Sequence, residues 1–110
     1  MKELWLGIDC ATQSVRGTLI DSSGRIHFRT SEELAPVMRG ADGRLTQDPH
    51  SWNLAMEKAI ATTVKKAGSD GFSVAAISIS ATSGTFVVTD LQGNPIAPAA
   101  MYNDGRANNP

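Results

Sequence analysis

At 110 residues, 41% of them hydrophobic and with a formal net charge of −1, the chain has the size of one domain and can bury roughly two thirds of its extended surface. No basic patch points to nucleic acid, no acidic tail points to disorder, and no run approaches the roughly 18 to 20 apolar residues of a membrane helix. A single cysteine, Cys10, excludes an internal disulfide and fits a reducing compartment, so a soluble cytoplasmic protein is expected.

Leu4 to Ile8 is a continuous apolar run closed by Asp9, which predicts a buried central strand. Val15, Leu19 and Ile20 mark a second strand beyond a polar turn, and "DSSG" at Asp21 to Gly24 is turn chemistry. "RIHFRTSEEL" then alternates, with Ile26 and Phe28 on one face and Arg25, His27 and Arg29 on the other, which predicts a third, half-solvated strand. Pro36 to Arg44 has two glycines and no period and is read as a loop.

"QDPHSW" predicts a helix start, with Asp48 as N-cap and Pro49 at the first helical position. Trp52, Ala55, Met56, Ala59, Ile60, Thr63, Val64 and Ala67 recur at three- and four-residue spacing, which makes a helix about 30 Å long. Lys65 and Lys66 suit its C-terminal dipole, and Gly68 is the expected stop. "VAAISIS" at Val74 to Ser80 predicts another buried strand, "ATSGT" a small-residue turn, "FVVTD" a further strand and "LQGNP" a turn. "IAPAAMYND" predicts an edge strand, because Pro95 and Pro98 exclude a central position. The order β-β-β-α-β plus a β extension predicts an α/β fold with a mixed sheet. It resembles the ribonuclease H-like (actin-like ATPase) core, in which the first hairpin tip and the strand after the helix end at one cleft.

The chemistry concentrates at that expected cleft. A carboxylate at the end of an apolar strand is costly unless hydrated, paired or bound to a cation, so Asp9 is either a turn-capping acid or a metal position. Thr12, Gln13 and Ser14 put hydroxyls, an amide and backbone N–H groups at a tight turn that can cradle an anion, and Arg16 adds a planar cation suited to phosphate. Plain turn composition and a solvated strand face are the bland alternatives for these residues. At the other end of the chain, Thr82, Ser83 and Gly84 offer hydroxyls and exposed amides to a polyol, or form an ordinary glycine turn. Tyr102 offers an aromatic face to sugar C–H groups or is a half-exposed edge residue. Asn103 and Asp104 bind hydroxyls or close a turn with Gly105, while Arg106 is read as a structural ion pair. His27, His50 and Cys10 lack metal-ligand spacing, Trp52 is read as core, and Asp21, Asp42 and Asp90 are read as turn formers.

"GIDCATQSVRGTLID" resembles the first phosphate motif of the FGGY family of carbohydrate kinases, D-x-G-T-x-S-x-R/K, with Asp9, Thr12, Ser14 and Arg16 on its characteristic positions. Ala11 stands where the family has glycine. If the turn needs positive φ there, alanine costs on the order of 1 kcal/mol. "QDPHSWNLAMEKAI" is similar to the family's "hDP..ww.a" helix start, and "ISISATSGTFVVTDLQGNPIAPAAMYNDGRA" resembles the stretch from its sugar loop to a "W/Y-N-D-x-R" segment. The three matches run in order along nearly the whole chain. At the sugar loop, Ser83 and Gly84 depart from the Arg-Glu pair of glycerol kinases and the Met-His pair of bacterial xylulose kinases. "TSGT" looks closer to ribulose kinase-like members.

The resemblance implies ATP-dependent phosphorylation of a hydroxyl on a small carbohydrate, a ketopentose or polyol. It implies Asp9 as the Mg²⁺ position and, with Arg16, the catalytic pair. Thr12, Gln13 and Ser14 would line the phosphate path, and Thr82, Ser83, Gly84, Tyr102 and Asp104 would hold the sugar. It further implies that residues 1–110 are the N-terminal, sugar-binding side of a longer kinase's N-terminal domain, inactive alone, with the catalytic base and adenosine pocket elsewhere. Expected partners are a small sugar and neither nucleic acid nor membrane; oligomeric state is open, a homodimer included. The alternatives are a non-catalytic sugar- or nucleotide-binding module or degenerate kinase remnant, and a two-metal nuclease on the same core. The nuclease is disfavoured because Ser80 and Ala81 stand where a second acid belongs and the helix face offers only Glu57.

Overall fold

The computed structural model describes residues 2–108. Three strands open the chain: β1 (Lys2–Cys10), β2 (Ser14–Ile20) and β3 (Ile26–Glu33). They form an antiparallel meander, with Asp9 opposite Arg16 between β1 and β2 and Arg16 opposite Ser31 between β2 and β3. Helix α1 (His50–Ser69) crosses one face, and β6 (Phe72–Ala81) returns parallel to β1, with Asp9 opposite Ser80. The sheet order β3-β2-β1-β6 puts β1 in the interior and makes the sheet mixed, as the sequence predicts.

Alternation decides which side chains α1 covers. Leu4, Leu6 and Ile8 of β1 and Val15 and Leu19 of β2 are buried against Ala55, Ala59 and Ala67 of α1. Trp5, Gly7 and Asp9 therefore face the other side of the sheet, which no helix covers among the described residues. The apolar run of β1 is thus buried on one face only. On α1 the buried positions Ala55, Ala59, Thr63 and Ala67 form a stripe at four-residue spacing. Their small side chains bring the helix close to the sheet. At Gly17 a Cβ would lie 3.2 Å from Thr63 Cγ2 and 3.2 Å from Thr30 Cγ2, so glycine is what permits that approach.

The helix starts as the sequence predicts: Pro49 is already helical (φ −70°, ψ −19°), and Asp48 Oδ1 accepts the His50 N–H at 3.0 Å. It ends later than expected. Gly68 stays helical, and the chain leaves through Asp70 into Gly71, whose φ of +81° only glycine adopts freely.

Four other expectations change. The Pro36–Arg44 segment holds a two-residue strand, β4 (Met38–Arg39), which pairs with β5 (Leu45–Gln47) just before the helix. "FVVTD" forms no strand; its ladder contacts are single bridges, Phe86 with Ala100 and Thr89 with Pro95. The final edge strand shrinks to β7 (Ala99–Ala100), which pairs with β5 to complete a small second sheet, β4-β5-β7. The buried strand predicted at Val74–Ser80 has the right position and direction, but its residues from Ala75 onward are exposed, including Ile77 and Ile79. Apolar composition promised burial, but no neighbouring element covers that half of the strand among the described residues.

Candidate active site

At the C-terminal ends of β1 and β6, on the open face, Asp9 lies between Arg16 on β2 and Ser80 on β6. With Gly7, Thr18 and Ser78 they line a shallow hollow of about 330 Å³. The Asp9 side chain is exposed, and among the described residues its one hydrogen bond is a long one, accepted from Ser80 Oγ at 3.4 Å. Although Arg16 faces Asp9 across the ladder, no ion pair joins them among the described residues. The carboxylate is thus hydrated and available rather than neutralised inside the fold.

The turn after Cys10 is tight. Ala11 N donates to Ser14 O at 2.9 Å, and Leu34 N donates to Gln13 O at 2.9 Å. Ala11 has no positive φ; among the described residues Asp42 is the one non-glycine that does. Alanine therefore carries no left-handed strain at the position where the motif has glycine. Thr12 is half-buried, Gln13 is exposed and Ser14 is buried. Burial, then the neighbouring Asp9 charge, pushes the Cys10 thiol above its ordinary value, which suits a small packing residue and not a nucleophile.

The second segment reaches the same end of the sheet. Thr82 N donates to Cys10 O at 3.2 Å, and its hydroxyl reaches the same carbonyl at 3.4 Å. Gly84 turns the chain with φ +83° and packs on Tyr102, whose N–H donates to Thr85 Oγ1 at 3.0 Å. Tyr102 is 57% exposed, so its ring is open to a ligand. Ser83 is exposed. Thr12, Thr82 and Thr85 come together with Trp52, Asn53 and Met101 around a cavity of about 300 Å³ on the helix side.

The structure thus resolves the single expected cleft into two hollows. Asp9 and Arg16 line one on the open face. Thr12 and Thr82 line the other on the helix face, and both lie toward the ends of β1 and β6. Asp104, expected at the sugar, is engaged within the fold: Oδ2 accepts the Leu45 N–H at 2.8 Å, and Oδ1 accepts the Arg106 N–H and Nε–H at 3.0 and 2.9 Å. Those bonds from Arg106 and Leu45 hold its carboxyl well below the usual range, and the ion pair expected of Arg106 is this one. The carboxylate pins the loop before β5 to the chain after Tyr102. Sequence reasoning missed Gln47, a buried carboxamide bonded to Thr12 O, Ala35 O and Trp52 Nε1. Its one signal was a lone amide directly before the helix cap.

Among the described residues no three or more His, Cys, Asp or Glu side chains gather into a metal cage. An exposed carboxylate beside hydroxyls still fits Mg²⁺, which keeps several waters and takes one or two carboxylates together with substrate phosphates.

Residues 4–109 match the N-terminal domain of the FGGY family of carbohydrate kinases. The chain belongs to this family. Among FGGY relatives, the xylulose kinase of Lactococcus lactis is 32% identical over 101 residues, covering 92% of this chain and 20% of the relative. The crystal structure of a xyloylose kinase from Brucella ovis superposes with a TM-score of 0.84 at 26% identity, over 94% of this chain and 21% of that one. Plasmodium falciparum glycerol kinase with ADP shares the fold (TM-score 0.85, 22% identity, 97% of this chain and 22% of that one). The α/β mixed sheet is thus that of the actin-like ATPase fold, and the chain spans about a fifth of these FGGY relatives' length. No helix among the described residues is long and apolar enough to cross a membrane.

Proposed function

We propose that this chain is the sugar-binding side of the N-terminal domain of an ATP-dependent carbohydrate kinase that acts in the cytoplasm on a small sugar, without nucleic acid or membrane as partner. The observation that carries this reading is Asp9: exposed, in no ion pair among the described residues, and one residue from Cys10, whose carbonyl ties the Thr82–Thr85 turn to the phosphate turn. Its likeness to xylulose kinases favours a ketopentose, with a polyol as the neighbouring class.

Phosphoryl transfer leaves little covalent chemistry to the protein; positioning and charge neutralisation dominate. Arg16 balances charge on the transferred group from the strand opposite Asp9. Thr12, Gln13 and Ser14 border the phosphate path, chiefly through the turn backbone, since the Ser14 side chain is buried. Thr82, Ser83, Gly84 and the open ring of Tyr102 orient the sugar. Asp104 supports that loop through its bonds to Leu45 and Arg106. Asp9 would hold Mg²⁺ through water, and the ion would supply charge neutralisation between the phosphates.

A coupled ADP-release assay tests the reading. A kinase-length polypeptide carrying this segment is given ATP, Mg²⁺ and a panel of ketopentoses and polyols. Sugar-dependent turnover with at least one of them is expected, and none from the 110 residues alone. Sugar binding without turnover by the long polypeptide would instead favour a non-catalytic binding module. Turnover by the 110 residues would contradict the assignment of the base and adenosine pocket to other parts of the kinase.

A further inference from the structure

Gln47 is 1% exposed, and both its N–H donors and its carbonyl oxygen are engaged. Nε2 donates to Thr12 O at 2.9 Å and to Ala35 O at 2.7 Å, and Oε1 accepts from Trp52 Nε1 at 2.8 Å. The three partners lie on three segments: the turn after β1, the loop after β3 and the first turn of α1. Through its backbone Gln47 also pairs with Ala99 of β7, three residues before Tyr102. One side chain therefore joins the phosphate turn to the sheet that carries the sugar-side aromatic.

The bond to Thr12 O has a directional consequence. A trans peptide is planar with C=O and N–H opposed, and no cis bond occurs among the described residues. With the Thr12 carbonyl held toward Gln47, the Gln13 N–H must point away from it. That N–H donates to no protein acceptor among the described residues. Two donors and one acceptor at that reach are the chemistry of a glutamine amide; an ionised glutamate has no donor, and a methionine has no donor and only a weak sulfur acceptor.

We propose that Gln47 is a positioning residue for phosphoryl transfer, fixing the Thr12–Gln13 peptide so that the Gln13 N–H is presented to a phosphate oxygen. The role rests on the kinase reading above, while the fixing of the peptide does not. Two measurements separate them.

The first is amide hydrogen exchange on this chain with Gln47→Met and Gln47→Glu, the second variant keeping the shape and the acceptor for Trp52. Exchange at Ala11 and Leu34, the amides that close the turn, should accelerate about tenfold or more in both variants, while amides paired between β1 and β2 stay as in the parent. Trp52→Phe, which removes the indole bond and one ring but leaves both Gln47 donors their acceptors, should change Ala11 and Leu34 by less than about threefold. An unchanged rate at those amides, or a uniform rise across the sheet, overturns the proposal. The second measurement is kinetic, in the kinase-length polypeptide. The same Gln47 variants should lower kcat/KM for ATP about tenfold or more with sugar Kd unchanged. A lower melting temperature with unaltered kcat/KM per folded molecule would overturn it. If the parent itself shows no turnover, the kinase reading falls, and the exchange result still decides whether Gln47 holds the turn.

Discussion

Gly43 adopts φ +76°, and a Cβ there would sit 3.2 Å from Gly105 Cα, while Gly105 N donates to Gly43 O at 2.8 Å. Both backbone strain and a backbone clash oppose any side chain, so Gly43→Ala should cost at least about 1–2 kcal/mol, read as a lower urea midpoint at constant m-value. Two carboxylates make acid sensitivity predictable as well. Hydrogen bonds from Ser23, His27 and Arg25 hold Asp21 far below the ordinary aspartate value of 3.8, and those from Arg106 and Leu45 do the same for Asp104. Below about pH 4 the unfolded chain binds more protons than the folded one, so the stability these groups give is complete above that pH and is lost as pH falls further. Midpoints measured between pH 6 and 2 should fall below pH 4, and Asp21→Asn should flatten part of that decline. Asp9 was legible because its cost could be judged from strand and neighbours alone, and so were Asp21 and Asp90, whose turn partners lie within six residues. Asp104 and Gln47 were not: their deciding partners lie 59 and 35 residues away.

Elements were legible to the degree that their stability is local. The cap at Asp48 and the small-residue stripe of α1 write that helix into the sequence. The meander follows from alternation and the "DSSG" turn. β6 shows the limit of the method. Its apolar residues fix a strand and its partner, but burial depends on what covers it, and Ile77 and Ile79 stay exposed. β4 and β7 are two residues each and pair with β5, β4 across a short connection and β7 from more than fifty residues away, a non-local fact that no local pattern announces. The helix–sheet contact gives a direct test of packing. Gly17→Val would drive two methyl groups into Thr30 and Thr63, and overpacking of this kind should cost about 1–3 kcal/mol, read from denaturant midpoints. A neutral result would contradict the close approach of α1 to the sheet at Gly17.

The molecule as a whole is open. Its radius of gyration is 16.7 Å, against about 13 Å for a compact chain of this size. Its accessible surface is 7286 Å², against roughly 5,800 Å². Among the described residues the main sheet is packed by a helix on one face, and the other face leaves Asp9, Arg16 and Ser80 reachable at the strand ends. The proposed function divides the labour: Asp9 would serve the phosphate, and the far turn with Tyr102 would hold the sugar. The most direct measurement compares kcat with calorimetric sugar Kd for Asp9→Asn in a kinase-length polypeptide carrying this segment. The account predicts that kcat drops by about 100-fold or more while Kd for the sugar shifts by less than about threefold. Unchanged turnover, or a loss of sugar affinity as large as the loss of rate, would contradict it.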